Sequence, residues 1–421
     1  MSLNFEQMLQ KYAELIVKVG LNLHPGQRLL IGAPVLWILG TPIETAPFIR
    51  LVAAEAYKAG AALVDVMWRD DQLEITRFKH APADSFAEYP SWQVDAALEY
   101  AKRGDALLFV LAETPGLLSQ QDPNAVATAQ QSAFKHSKQI TEYYAQRELQ
   151  CMIISAVVAG WAARVFPDVP PEKQETRLWN ALFEVCRVKE HDPLSAWKNH
   201  IKQLDFRSHY LNQKQYTALK ITAPGTDLTV GLPREHIWTS SHISTSRGIS
   251  CVTGFPCEEL FTVPHKDKTE GVVTATKPLN YGGTLIENLS LTFNKGRVVK
   301  VNADSGEDII RKSIETDEGA SRLGEIALLP HSSPVSQSGL LFYNTLIDEN
   351  AANHIALGNG YKFNLQGGES MSDDEFKSAG GNLSLIHIDF MIGSAEMDVD
   401  GLKKDGKSEP IMRAGEWAFD I

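Results

Sequence analysis

The chain has 421 residues, 43% of them hydrophobic and 22% charged, which is globular composition and more than one hydrophobic core usually serves, so two domains are expected. A formal net charge of −12 argues against a nucleic-acid partner, which needs a clustered basic face. The four cysteines, Cys151, Cys186, Cys251 and Cys257, contain no CxxC pair, so a thiolate zinc knuckle and a disulfide framework are both disfavoured and a reducing compartment is expected.

At the N-terminus, Phe5, Met8, Leu9, Tyr12, Leu15, Ile16 and Val19 fall at helical spacing, which predicts an amphipathic helix. There is no basic segment followed by an apolar core, and no window approaches the roughly 18 apolar residues of a membrane span. A cytoplasmic protein is expected, with no membrane association. Next come a short strand in "QRLLIGAPV", a helix in "APFIRLVAAEAYKAG" closed by Gly60, and a second buried strand in "AALVDVMW", together a βαβ unit. "GDALLFVLAET" adds a strand, and helices are predicted around Ala125–Glu142 and Pro171–Arg187. No GxGxxG follows the first strand and no phosphate-binding GxxxxGK occurs, so nucleotide binding is disfavoured.

From about Tyr216 the texture becomes short alternating strands with Asn-Lys-Gly and Gly-Gly turns. The boundary is placed in the polar, irregular stretch "FRSHYLNQKQ" between Phe206 and Lys214. The expected class is α/β: a three-layer-like parallel-sheet α/β domain over residues 1–210, then a β-rich α+β domain over 211–421.

The second domain sets carboxylates and histidines against apolar sequence four times. "GFPCEELFTVPH" carries Glu258 and Glu259, of which only one can face inward with its neighbours. Glu325 follows Gly324 at the start of an apolar run. "LFYNTLIDENAANHIALGNGY" offers Glu349, His354 and Tyr361 around a predicted short helix ending at Gly358. In "SLIHIDFMIGS", strand alternation puts His387, Asp389 and Met391 on one face, and Ile386, Ile388, Phe390 and Ile392 on the other. A buried carboxylate needs a partner or a metal. Each segment alone has an ordinary reading: a hydrogen-bonded core histidine, a half-surface Glu-Glu pair, a turn carboxylate. Taken as a set, mixed carboxylate and imidazole groups suit zinc, cobalt or manganese. There is no HExxH, and "SQSGLL" lacks the glycines of a GxSxG elbow, which disfavours a single-zinc helical site and a serine hydrolase.

The strings "PCEELFTVP", "RLGEIALLPHSSPVS", "FYNTLIDENAANHIALGNGY" and "IHIDFMIGS", in that order and spacing, closely resemble the thermophilic aminopeptidase family of metallopeptidases. The resemblance implies a homodimer with two divalent metal ions per subunit in the C-terminal domain. It points to Glu259, Glu325, Glu349, His354, Tyr361, His387 and Asp389 as their ligands. It also implies release of N-terminal residues from peptides with a free amine. A pair of metals a few Å apart can share a water, bring its pKa toward neutrality and polarise a carbonyl. Tyr361 is expected to ligate, to donate to the oxyanion or to buttress a ligand. Glu258 is a general-base candidate only if its strand is bulged, and otherwise forms a salt bridge on the outer face. Glu349 lies five positions from His354, so it joins the site only if the helix begins just after it. Cys257, where the family pattern has a small hydroxyl, reads as a buried filler. The alternatives are a metal-dependent hydrolase of another amide, or a non-catalytic metal- or peptide-binding relative.

Overall fold

The computed structural model describes residues 4–35, 40–281 and 284–419. The chain divides into two units, Met1–Asn199 with His242–Phe255, and His200–Ser241 with Pro256–Ile421. In the first, strands β1 (Arg28–Ile31), β2 (Leu63–Val66), β3 (Ala106–Leu111) and β4 (Cys151–Ser155) form a parallel sheet in the order β2-β1-β3-β4. All six residues of β3 are buried, as a central strand of a parallel sheet requires. β2 differs from the buried strand predicted there: it is an edge strand, and Leu63 and Asp65 face solvent or nearly so. Its apolar run encodes strand propensity but not which side lacks a neighbour.

The N-terminal amphipathic pattern forms α1 (Phe5–Leu15), started by a capping box between Asn4 and Gln7. A Cβ on Gly20 would lie 2.1 Å from Sδ of Met152, so a larger residue there would require the Met152 side chain to shift. Helices α2 (Ala46–Lys58), α3 (Ser91–Arg103), α4 (Pro123–Ala145) and α5 (Pro171–Val185) follow, with α4 and α5 close to their predicted limits.

The boundary differs from the expected linker. Residues 206–214 belong to a continuous helix, α6 (Pro193–Lys214), in which Trp197, His200, Leu204 and Leu211 are buried at helical spacing. Its many polar residues cover the outer face, which is why the stretch reads as irregular. The hairpin strands His242–Ser244 and Ser250–Val252 belong to the first unit, where the amide of Ile153 in β4 donates to the carbonyl of Thr253.

The described residues of the second unit form three antiparallel sheets, one of them only the short pair Leu279–Tyr281 and Thr284–Ile286. The largest has eight strands, running in space from Arg297–Asn302 through Ser290–Asn294, Thr269–Thr274, Thr226–Gly231, Ala218–Ala223, Asp398–Leu402 and Ser408–Arg413 to Glu416–Trp417. The predicted Asn-Lys-Gly turn joins two of them with positive φ at Lys295 and Gly296. The Gly-Gly turn at 282–283 lies outside the described residues. The four-stranded sheet of this unit carries the candidate site: β5 (Leu260–Thr262), β6 (Leu323–Leu328), β7 (His354–Gly358) and β8 (His387–Met391), paired in that order. No described helix is long and apolar enough to cross a membrane.

Two glycines let these strands meet. Gly358 has φ +103°, and a Cβ there would lie 2.1 Å from the carbonyl oxygen of Ile386. A Cβ on Gly324, at the register shift between Leu323 and Glu325, would lie 2.2 Å from the carbonyl oxygen of Asn359. Gly358→Ala is therefore expected to destabilise the protein by at least about 1–3 kcal/mol from backbone strain alone. Denaturant unfolding measures this, and an unchanged midpoint contradicts it.

Candidate metal centre

Residues paired across an antiparallel ladder share a sheet face. The register aligns Phe261, Ala327, His354 and Met391 in one row, Glu325, Ala356 and Asp389 in the next, and Gly358 with His387 in a third. The acidic and imidazole residues of three strands thus converge on one face, separated by Ala327, Ala356 and Gly358, which have little or no side chain to fill the space between them. The opposite face is apolar: Leu260, Ile326, Leu328, Ile355, Leu357, Ile388 and Phe390 are all buried.

Glu259, immediately ahead of β5, reaches the same face. Its Oε2 lies 3.0 Å from Nε2 of His354, which is also 3.5 Å from Oε1 of Glu325. One donor atom from each of these three buried residues lies within 4.8 Å of the others. On the other side, Oε2 of Glu325 is 3.7 Å from Nε2 of His387, itself 3.4 Å from Oδ1 of Asp389. Glu325 therefore presents one oxygen to each half of the cluster.

Both histidines turn Nδ1 toward a backbone carbonyl, His354 to Ala352 at 3.2 Å and His387 to Asn359 at 2.8 Å. A carbonyl only accepts, so Nδ1 carries the hydrogen and Nε2 is left as the free ligand atom when the ring is neutral, the usual arrangement of metal-binding imidazoles. Oε2 of Glu259 is buried without an aligned hydrogen-bond donor, despite its proximity to His354. An orphaned carboxylate oxygen amid converging Nε2 and carboxylate atoms is the donor chemistry of a divalent cation site.

The electrostatics have the same origin. Burial lowers the affinity of His387 for its proton, but Asp389 and Glu325 outweigh this and push its pKa up to about 10. His354 is likewise held well above the usual range against its burial, by Glu259 and Glu325. Burial raises the pKa of Glu325. Asp389, although largely shielded from solvent, is held below its usual value chiefly by His387.

Glu349 joins the cluster by a route that the sequence reading did not contain. The predicted helix ending at Gly358 stops much earlier: Thr345–Asp348 is helical, Glu349–Ala351 is a 3-10 turn, and His354 opens strand β7. Pairing with β6 and β8 decides this, and short apolar runs do not reveal it. The helical-spacing objection disappears. Burial and the neighbouring Glu259 and Asp389 push the Glu349 carboxyl well above its ordinary pKa. Tyr361 stands beside the cluster, its ring centroid 5.5 Å from that of His387.

Glu258 is not brought into this group. It precedes the strand rather than lying in a bulge of it, and it is buried rather than on an outer face. Its Oε2 is 3.7 Å from Nε2 of His200, and its amide donates to Oδ1 of Asn350 at 2.7 Å. Cys257 is buried, and burial pushes its thiol up to about 12, in keeping with a neutral filler. Two residues that the sequence reading missed help to place the ligands. Asn350, next to Glu349, ties the Glu258 amide to the carbonyl of Leu346, and Asn359 orients His387 through its carbonyl. Both act through or on backbone groups, which leave no charge pattern; the one local signal is an asparagine beside a ligand or between glycines.

The fold and the ligand face together define a metallohydrolase-like centre, and comparison with known proteins places it. The chain belongs to the thermophilic metalloprotease (M29) family, whose model matches residues 5–417. It is 43% identical over 416 residues to aminopeptidase AmpS of Bacillus subtilis (strain 168), covering 99% of this chain and 100% of the relative. It is 44% identical over 420 residues to aminopeptidase 2 of Geobacillus stearothermophilus, covering 99% of each. The solved structure of wild-type AmpT from Thermus thermophilus superposes with a TM-score of 0.91 at 40% identity, covering 99% of this chain and 100% of that one.

Without metal, His387 is more basic folded than unfolded, so its contribution to stability is full below about pH 6.5 and is lost as pH rises through about 10. Metal-free protein is expected to melt at progressively lower temperature across that window. Metal loading near neutral pH is expected to release protons, because the ligands must be deprotonated. Thermal melts against pH and titration in weak buffer measure both effects; a flat profile with no proton release contradicts the protonated cluster.

Proposed function

We propose that this chain is a metal-dependent aminopeptidase, releasing N-terminal residues from peptides, with two divalent cations per subunit drawn from zinc, cobalt and manganese. The observation that carries the binuclear reading is Glu325, with Oε1 facing His354 and Oε2 facing His387. One cation would be held by Glu259, His354 and Glu325, the other by Glu325, His387 and Asp389, with Glu349 as a further ligand. Charge supports the count: Glu259, Glu325, Glu349 and Asp389 carry four negative charges when ionised, the complement of two divalent ions. Bound metal of this kind supplies a water of near-neutral pKa and polarises the scissile carbonyl.

The residues themselves account for the remaining requirements. The acidic face attracts the α-ammonium of a free N-terminus, an interaction that a blocked amine forfeits. The carbonyls of Ala352 and Asn359 fix the imidazole orientation so that Nε2 is the ligating atom. Tyr361, its ring beside that of His387, is the proposed donor to the oxyanion that develops on the attacked carbonyl. Glu258, packed against His200, takes no step in this scheme and holds the backbone ahead of Glu259. A homodimer is the proposed assembly, and light scattering measures it.

Metal-reconstituted protein is expected to hydrolyse leucine p-nitroanilide and not its N-acetyl derivative. A chelator should abolish the activity, and zinc, cobalt or manganese should restore it. Glu325→Ala should lower the rate by more than about 100-fold, the upper range for losing even an outer-shell partner of a metal site. Equal hydrolysis of free and blocked substrates points to another amidase, and full activity in chelator contradicts the metal reading.

A further inference from the structure

The side chain of a substrate's N-terminal residue is carried on the Cα, which lies one bond, about 1.5 Å, from the carbonyl carbon under attack. Whatever binds that side chain must therefore adjoin the ligand cluster. Three aromatic rings do so. Tyr361 and Phe363 stack with centroids 5.1 Å apart and planes within 9°, and Phe261 meets each of them edge-on at 6.1 Å. Phe261 lies in the same sheet row as His354, two residues beyond Glu259, while Tyr361 meets His387. The triad thus meets the cluster at His387 and lies in the sheet row that carries His354.

Ring pairs that serve only as core are closed over, like Trp197 and Phe255 in the first unit, both fully buried. Phe261, Tyr361 and Phe363 instead all keep exposed surface. Their arrangement is fixed from behind. Asn364, buried next to Phe363, donates from Nδ2 to the carbonyls of Ile237 and Phe261, and its own carbonyl accepts from the amide of Ile237. Leu365 then enters a small core with Val263 and Phe376. The loop bearing Tyr361 and Phe363 is pinned to the strand bearing Phe261, so the rings are pre-organised before a ligand arrives.

We infer that Phe261 and Phe363, with the ring of Tyr361, form the subsite for the substrate's N-terminal side chain, and that this subsite selects large apolar or aromatic residues over small ones. The inference rests on the aminopeptidase reading for its substrate and on the ring geometry for its selectivity. Apolar pockets discriminate by roughly 10-fold or more per methylene, so a three-ring wall accounts for a graded preference.

Two measurements on metal-loaded full-length protein test it. In the first, kcat/KM for the p-nitroanilides of alanine, leucine and phenylalanine is compared between wild type, Phe363→Ala and Phe363→Leu. Wild type should prefer phenylalanine and leucine to alanine. Phe363→Ala should shrink the phenylalanine-to-alanine ratio by about 10-fold or more, and Phe363→Leu should restore part of it. In the second, calorimetry measures binding of glycine, alanine, leucine and phenylalanine hydroxamates to wild type, with affinity expected to rise along that series. If no aminoacyl anilide is cleaved but the series is graded, the peptidase reading fails and the subsite stands. A flat series, or a substrate ratio unmoved in a metal-replete Phe363→Ala, overturns the subsite. Should Phe363→Ala not fold, Phe363→Leu and the wild-type series still decide.

Discussion

Much of the second unit is organised around one electrostatic problem, the removal from water of four carboxylates and two imidazoles on a single sheet face. Burying an ionised carboxylate is strongly unfavourable unless it is paired, hydrogen-bonded or bound to metal. Without metal, the cluster relieves the cost by holding protons on His354 and His387 and by resisting full ionisation at Glu325 and Glu349. That remedy is partial, since Oε2 of Glu259 has no aligned hydrogen-bond donor although Nε2 of His354 lies 3.0 Å away. Were Glu259, Glu325, His354, His387 and Asp389 to hold a cation, those protons would be given up and folding and metal binding would be linked.

The scaffold makes this arrangement possible through shape more than through charge. β6 is buried along its whole length, so Glu325 is anchored between apolar neighbours and cannot swing toward solvent. Ala327, Ala356 and Gly358 leave the ligand face nearly free of competing side chains. Gly324 and Gly358 bring backbones closer than any side chain permits, which draws β8 against β7 and His387 toward Glu325. Loops finish the site: the turn at Glu349 and the Asn359–Tyr361 segment supply, from outside the strands, groups that the sheet cannot carry.

The sequence made the strand-borne part of this site legible. The His387/Asp389 alternation in an apolar run states directly that two polar groups share a buried face, and Glu325 after Gly324 marks a carboxylate entering a core. The ordered motifs carried the family resemblance. Less legible was whatever depends on pairing partners far along the chain. Residues 354–358 read as helix because their strand character comes from β6 and β8. Residues 206–214 read as linker because the buried side of α6 shows one residue per turn. Leu63–Val66 reads as buried because an edge strand differs from a central one only in its neighbours. The membership of residues 242–255 in the first unit has no local signature at all, and neither does the division of labour between Glu258 and Glu259, adjacent in sequence but turned to different surroundings.

The central claim is that Glu325 divides its two oxygens between two cation sites. Metal content measured by elemental analysis and calorimetric titration on metal-reconstituted protein tests it most directly. The account predicts two divalent ions per chain in wild type and loss of tight binding at both sites in Glu325→Gln, with the fold retained. A wild type that never takes more than one ion, or a Glu325→Gln variant that keeps two, contradicts it.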